Sequence, residues 1–262
     1  MIVTTASNET QSLTDKARSL SSRFGIEYYP RKGKEKSLKY LLENIDPQIF
    51  VINNMRGLSY YESGKSEAFF HPNMAFQRIN NLKRGEQDSM AAACKLESGM
   101  SFFDGTLGLS SDSLVASYMV GEPGEVTAAE KSAPMYILAE EGLRFYAERH
   151  SEWKPIIERI NIKNIDNLDF MRQCGERSFD IVYFDFMFDK PVAESDGIQG
   201  IRNLACYDKI TTEHVHEARR VAKSRIVAKS DANGARELSK FGFMTEKEHQ
   251  RKNFYYAVLE IK

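Results

Sequence analysis

Ser101-Phe102-Phe103-Asp104-Gly105-Thr106-Leu107-Gly108-Leu109-Ser110-Ser111-Asp112 decides the fold of this chain. A short apolar run ends in an acid, passes through two glycines and enters Asp112 to Tyr118, a segment of helical character. Strand, turn and helix in that order open a parallel α/β unit, in which ligands collect beyond the carboxyl ends of the strands. Gly105 and Gly108 let the backbone turn sharply and come close to a ligand, and the helix that follows offers free N–H groups. The loop lacks the G-x-G-x-x-G spacing of a dinucleotide binder. By itself it is also compatible with an ordinary strand–helix turn.

The same alternation continues downstream. Strand-like runs at Glu125 to Ala129, Ile160 to Ile162, Asp180 to Phe184 and Arg225 to Ala228 are separated by helical stretches at Ala133 to Arg149 and Thr211 to Ala222. Such a pattern predicts a parallel sheet covered by helices on both faces, a doubly wound α/β domain. Phe241 to Thr245 and Asn253 to Ile261, joined by a charged connector, predict an antiparallel ribbon at its edge. Each strand end carries polar residues: Glu130 about twenty residues beyond the glycines, where an acid can accept ribose hydroxyl protons; Asp166 and Asn167; and Asp185. A carboxylate after a fully apolar run costs several kcal/mol if buried unpaired, so Asp185 is expected at a cleft.

Upstream, residues 1–70 read as a small α/β domain. Ile2 to Thr5 and Ile26 to Tyr29 are strand-like, Thr10 to Phe24 and Lys36 to Asn44 helical, and Ile49 to Ile52 pairs with Leu58 to Tyr61 around Asn53-Asn54 and Gly57. His71 to Gly85, with Pro72, Asn80-Asn81 and Gly85, reads as the joint to a larger domain over 71–262. Glu86 to Glu97 follows as a helix.

Composition narrows the setting. At 262 residues no disulfide staple is needed for a core, and three separated cysteines, Cys94, Cys174 and Cys206, form neither a disulfide framework nor a metal-binding pattern. With 36 basic against 37 acidic residues, any nucleic-acid footprint must be local. No apolar run suits a membrane span, and Met1 to Thr5 has no signal-peptide character, so a cytoplasmic protein is expected. His214-Val215-His216 does not make a metal site, because two residues apart on a helix they face different ways.

These residues resemble the class I S-adenosylmethionine-dependent methyltransferases, and more narrowly the family of the J-type small-subunit rRNA guanine-N2 methyltransferase and its relatives. That family's D-A-T-A-G-L-G-R-D loop is matched at Asp104, Thr106, Gly108, Leu109 and Asp112. Its acid plus basic residue after the second strand is matched by Glu130-Lys131, and its D-V-V-Y-L-D-P-M-Y-P strand by Asp180, Val182, Tyr183, Asp185 and Met187. Met74-Ala75, Arg78, Arg84-Gly85-Glu86 and Arg225 to Lys229 extend the likeness over about His71 to Lys229. Ser110 stands for a glycine, Ser111 for an arginine, Phe186 for a proline, Phe188 for a tyrosine and Asp189 for a second proline.

The resemblance implies a seven-stranded, Rossmann-like methyltransferase sheet, S-adenosyl-L-methionine as cofactor with S-adenosyl-L-homocysteine as product, and no metal. It places Asp104, Gly105, Thr106 and Gly108 around the methionine part, Ser111 and Asp112 at the helix start, Glu130 with Lys131 on the ribose, Asp166 and Asn167 at the adenine, and Asp185 near the methyl. Asp185 and Phe188 are the implied catalytic pair, with Phe186 and Phe188 on the substrate side. Read from the residues alone, Arg78, Lys83 and Arg84 form a cluster that suits phosphates and equally suits a solvated surface. The implied acceptor is an exocyclic amino nitrogen of a base in structured RNA, small-subunit rRNA above all. A protein or small-molecule methyltransferase, or a non-catalytic cofactor-binding protein, is the alternative. The N-terminal domain would serve substrate recognition or support.

Overall fold

A computed structural model describes residues 1–7, 9–31, 37–186, 204, 210–245 and 254–262. The expected Phe188 and Met187 contacts, Asp189 and Cys206 lie outside these residues. Two compact units emerge from the packing of the described residues.

The first unit contains Met1–His71 together with Ile137–Tyr146. Its strands are β1 (Ile2–Thr5), β2 (Glu27–Tyr28), β3 (Gln48–Asn53), β4 (Gly57–Glu62) and β5 (Ala68–Phe69), in the order β2-β1-β3-β4-β5. β1 pairs in parallel with β2 and β3, and β3 to β5 form an antiparallel meander. Helix α1 (Gln11–Phe24) begins where Thr10 Oγ1 accepts from the Leu13 N–H and ends at Gly25, whose φ of 65° is the left-handed closure that glycine favours. Its Leu13, Ala17 and Leu20 are buried at helical spacing. Helix α2 (Leu38–Asn44) puts Leu41 against Ile2, Ile49 and Val51.

The second unit holds residues 72–136, 147–186, 210–245 and 254–262. Its strands are β6 (Ser101–Asp104), β7 (Glu125–Glu130), β8 (Ile160–Asn164), β9 (Phe179–Phe184), β10 (Ala222–Ser230), β11 (Met244–Thr245) and β12 (Tyr255–Glu260). They form one seven-stranded sheet in the order β11-β12-β10-β9-β6-β7-β8, with β12 antiparallel to both neighbours and the rest parallel. The expected doubly wound sheet and its antiparallel edge are both present. The chain proceeds from β6 to β7 and β8 on one side and then to β9 and β10 on the other, so strand order reverses between β6 and β9. In open α/β sheets, ligands bind at such a reversal, beyond the carboxyl ends of the two strands.

The central strands are buried on both sides, as parallel sheets require. Phe103, Val182, Phe184, Ile226 and Ala228 pack with residues of α8 (Asn167–Gln173), α9 (Thr212–Val221) and α10 (Ala232–Ser239). The alternate residues Phe102, Ile181, Tyr183 and Val227 are fully buried too, and α5 (Ser111–Val120) lies against β6 and β7.

Within the segment read as a joint, which contains the unit boundary at His71 and Pro72, the structure has a helix. Asn73–Lys83 is a helix, α3, with Ala75 and Ile79 buried one turn apart, so the asparagine pair falls inside a helix rather than in a turn. The helix expected over Glu86 to Glu97 is shorter, α4 at Ser89–Cys94, because Asp88 caps its start by accepting from the Met90 and Ala91 N–H groups. Helices α6 (Ala133–Arg149) and α7 (Lys154–Glu158) complete the set among the described residues.

Candidate active site

The loop after β6 is built from its own hydrogen bonds. Asp104 is almost wholly buried; its Oδ1 accepts from the Thr106 N–H at 2.9 Å and its Oδ2 from the Ser113 hydroxyl at 2.6 Å. One carboxylate thus ties the loop to the first turn of α5. Gly105 has no room for a side chain, since a Cβ would lie 2.5 Å from Cε1 of the Phe184 ring. Gly108 adopts a φ of 51°, while Ser110, in place of the resembling family's glycine, stands at φ 61° with a buried hydroxyl that has no hydrogen-bond partner among the described residues. Gly105→Ala is therefore expected to cost about 1–3 kcal/mol of stability through overpacking. The shifted loop would also weaken cofactor binding. Thermal unfolding and titration of the variant that match the wild type would contradict this.

Burial pushes the Asp104 carboxyl up to about 7, although Ser113 and the Thr106 amide favour its ionised form. A folded value above the unfolded one, about 4, means that the stability Asp104 contributes is fullest below pH 4 and is lost as pH rises through about 7. Asp104→Asn should remove a fall in unfolding free energy of up to about 1.4 kcal/mol per pH unit across that window. Denaturant unfolding at several pH values tests this, and parallel profiles for wild type and variant would exclude Asp104 as the source.

Glu130 closes β7 with its carboxylate over the loop. Oε2 accepts from the Gly108 N–H at 3.1 Å and Oε1 from the Ser132 N–H at 2.8 Å, and burial raises its pKa. Each oxygen retains a lone pair. Lys131 is exposed and pairs with Asp166 at 3.1 Å. Asp166 caps α8 through its Oδ1, which accepts from the Leu168 N–H at 2.9 Å, and its pairing with Lys131 helps hold its pKa low. Asn167 donates to the Gly105 carbonyl at 2.8 Å, and its buried Oδ1 has no partner among the described residues.

At the end of β9, the Asp185 N–H donates to Thr106 Oγ1 at 2.6 Å, and Asp185 Oδ2 accepts from Lys229 Nζ at 2.6 Å. Burial raises the Asp185 pKa while Lys229 opposes the rise. Phe186 stacks on Phe184 with ring centroids 5.6 Å apart. The structure therefore brings Asp104, Gly105, Thr106, Gly108, Glu130, Asn167 and Asp185 to one rim through direct bonds or contacts.

Two residues are engaged elsewhere. Arg78 donates to Asp88 at 2.7 and 2.9 Å and to Asp112 at 2.6 Å, and Tyr183 OH donates to the other Asp112 oxygen at 2.9 Å. Both Asp112 oxygens are thus committed within the protein, and a phosphate at Arg78 would compete with two carboxylates. Arg84, by contrast, is exposed just past α3, and Ser111 is half-buried at the first position of α5. Lys229 and Asp88 are participants that sequence reading did not single out as site residues. The signal for Lys229 was a lysine closing an otherwise apolar strand end.

A family model described as "Putative SAM-dependent methyltransferase" matches residues 54–256. The chain belongs to this methyltransferase family. It is 33% identical over 259 residues to the uncharacterised protein YpiP of Bacillus subtilis, covering 99% of both chains. It is also 23% identical over 227 residues to a ribosomal RNA small subunit methyltransferase J of Marinobacter nauticus, covering 81% of this chain and 76% of that one. Among solved structures, a SAM-dependent methyltransferase of Neisseria gonorrhoeae superposes with a TM-score of 0.61 at 18% identity, over 99% of this chain and 96% of that one, which shows a shared fold.

The cofactor is S-adenosylmethionine. The residues at the rim fit it: an acid with spare lone pairs at a strand end, a buried amide oxygen lacking a partner beside the glycine loop, and open space at Gly108, where a Cβ would meet only the Thr106 carbonyl at 3.9 Å. Among the described residues no group of His, Cys, Asp and Glu could hold a metal ion, and no helix is long and apolar enough to cross a membrane.

Proposed function

We propose that this methyltransferase modifies an exocyclic amino nitrogen of a base in structured RNA, with small-subunit rRNA as the acceptor. The observation that carries the reading is Asp185. It ends the strand beside the switch point, adjoins the glycine loop through Thr106, and has one carboxylate oxygen on Lys229 while Oδ1 accepts from no described residue. Such an oxygen is suited to accept a hydrogen bond from an amino group. The relatives whose names specify small-subunit rRNA methylation add support for the acceptor class.

When bound, S-adenosylmethionine supplies an electrophilic methyl group on a sulfonium. Glu130 would receive the ribose hydroxyls, Asn167 and the Asp166–Lys131 pair would flank the adenine, and Asp104 would brace the loop from beneath. Asp185 would hold the acceptor amine by one N–H and so orient its lone pair for transfer. On transfer, the acceptor nitrogen would give up its proton to water or to Asp185. Arg84 and Phe186, with Phe188 from outside the described residues, would contact the substrate. The N-terminal 70 residues would help recognise the RNA.

Mass analysis of rRNA from cells lacking the protein tests the acceptor. The expected result is one small-subunit fragment lighter by a methyl group and restored by the wild-type gene but not by an Asp185 variant. An unchanged rRNA pattern would remove RNA as acceptor and leave a protein or small molecule.

A further inference from the structure

Asp185 is held from two sides by residues of two other strand ends. Its backbone amide donates to Thr106 Oγ1 at 2.6 Å, and an amide can only donate, so the Thr106 hydroxyl proton is left to point elsewhere. Asp104 Oδ1 lies 3.4 Å from that hydroxyl and 2.9 Å from the Thr106 N–H. The order Asp185 N–H to Thr106 to Asp104 therefore joins the backbone after β9 to the last residue of β6.

On the other side, Lys229 Nζ reaches Asp185 Oδ2 at 2.6 Å from the end of β10. The Phe254 ring covers the ammonium at 5.1 Å. Both charged groups are largely withdrawn from water, with side-chain exposures of 22% for Lys229 and 26% for Asp185. A pair so placed is held in one geometry, because separating it would leave a partly buried charge alone.

We propose that Lys229 and Thr106 are positioning residues for methyl transfer: Lys229 fixes the carboxylate of Asp185 and Thr106 fixes its backbone, so that Oδ1 is presented to the acceptor amine. This rests on the reading of Asp185 as the residue that aligns the acceptor. Neither residue needs to touch the acceptor. Lys229 also favours the ionised form of Asp185 against its burial. The other charged groups that face Asp185 are Asp112 from α5, which raises its pKa, Arg78 from α3, which lowers it, and Asp104 at the end of β6.

The test uses the full-length protein saturated with S-adenosylhomocysteine, with aspartate carboxyl carbons labelled for NMR and the Asp185 resonance assigned by its loss in Asp185→Asn. In Lys229→Met the Asp185 titration midpoint should rise by about one pH unit or more, and Lys229→Arg should restore it. Lys229→Gln replaces the methionine variant if that one does not fold. In Thr106→Val, amide exchange at Asp185 should quicken about tenfold or more, and Thr106→Ser should keep the wild-type rate. With rRNA from cells lacking the protein as acceptor, both disruptive variants should lose about tenfold or more in kcat, and in Lys229→Met the KM for the cofactor should stay nearly unchanged. The acid limb of the Lys229→Met profile should move upward with the midpoint.

An unmoved midpoint in Lys229→Met overturns the role of Lys229, and unmoved exchange in Thr106→Val overturns that of Thr106. Wild-type protein that methylates no rRNA overturns the RNA reading instead, and the two NMR readouts still decide the clamp.

Discussion

Asp185→Ala is expected to lower the single-turnover rate of methyl transfer about 100-fold or more while S-adenosylhomocysteine binds within about threefold of wild type. The split follows from where the side chain acts. The loop contacts that would hold the cofactor run through Asp104, Gly108 and Glu130, none of which depends on the Asp185 carboxylate. The backbone amide of Asp185 also survives the change, so its bond to Thr106 is retained. What is lost is an acceptor aimed at the incoming amine, an interaction realised at the moment of transfer. The substitution leaves Lys229 without its carboxylate, which costs some stability, so Asp185→Asn is the necessary companion. It keeps an acceptor oxygen and removes the charge, and should fall between wild type and alanine. A wild-type rate in Asp185→Ala would move the acceptor away from this strand end.

The parallel core was legible because its strands are apolar on both faces and bounded by polar turns. Phe179–Phe184 and Ile226 to Ala228 can be assigned without a partner in view. The strand-end acids were legible for the complementary reason, since Glu130 and Asp185 interrupt runs in which a lone charge would be costly. The short helices were less so. Helix α8 has seven residues, too few for periodicity to show, yet its start is written in Asp166, whose carboxylate caps Leu168 and Asp169. Reading Asp166 only as a ligand group hid that it also begins a helix. Helix α3 was missed because Asn80-Asn81 and Gly85 outweighed the buried spacing of Ala75 and Ile79.

What no spacing rule reveals is which charges neutralise one another. Arg78 meets Asp112, 34 positions away, and Lys229 meets Asp185, 44 positions away. Both pairs exist because parallel strands and their covering helices deliver distant residues to one end of a sheet. An isolated reading treats Arg78 as available for phosphate, whereas the fold surrounds it with two carboxylates. The same logic makes Lys229 readable in retrospect. A cation and an anion that each end an apolar strand have the strongest reason to meet when those strands, β10 and β9, are neighbours.

Glu130→Ala should weaken S-adenosylmethionine and S-adenosylhomocysteine alike, by about 1.5–3 kcal/mol, or roughly 10- to 150-fold in Kd. Equal loss for both is expected because the ribose is common to the two and lies away from the methyl. Two effects of one sign combine. The carboxylate can no longer accept from vicinal hydroxyls, and the Gly108 and Ser132 N–H groups lose the oxygens that hold the loop at 3.1 and 2.8 Å. Glu130→Gln separates them, since one amide oxygen still accepts while the NH2 group faces an N–H donor; its loss should be intermediate. Affinity should also fall on acidification from a higher pH than for an ordinary glutamate, because burial favours the protonated form. Protonation turns one acceptor into a donor, whereas both hydroxyls need acceptors. Calorimetric titration of both ligands against wild type and the two variants measures all of this. Unchanged affinity in Glu130→Ala would place the ribose away from β7, and a loss confined to S-adenosylmethionine would place Glu130 beside the methyl rather than the sugar.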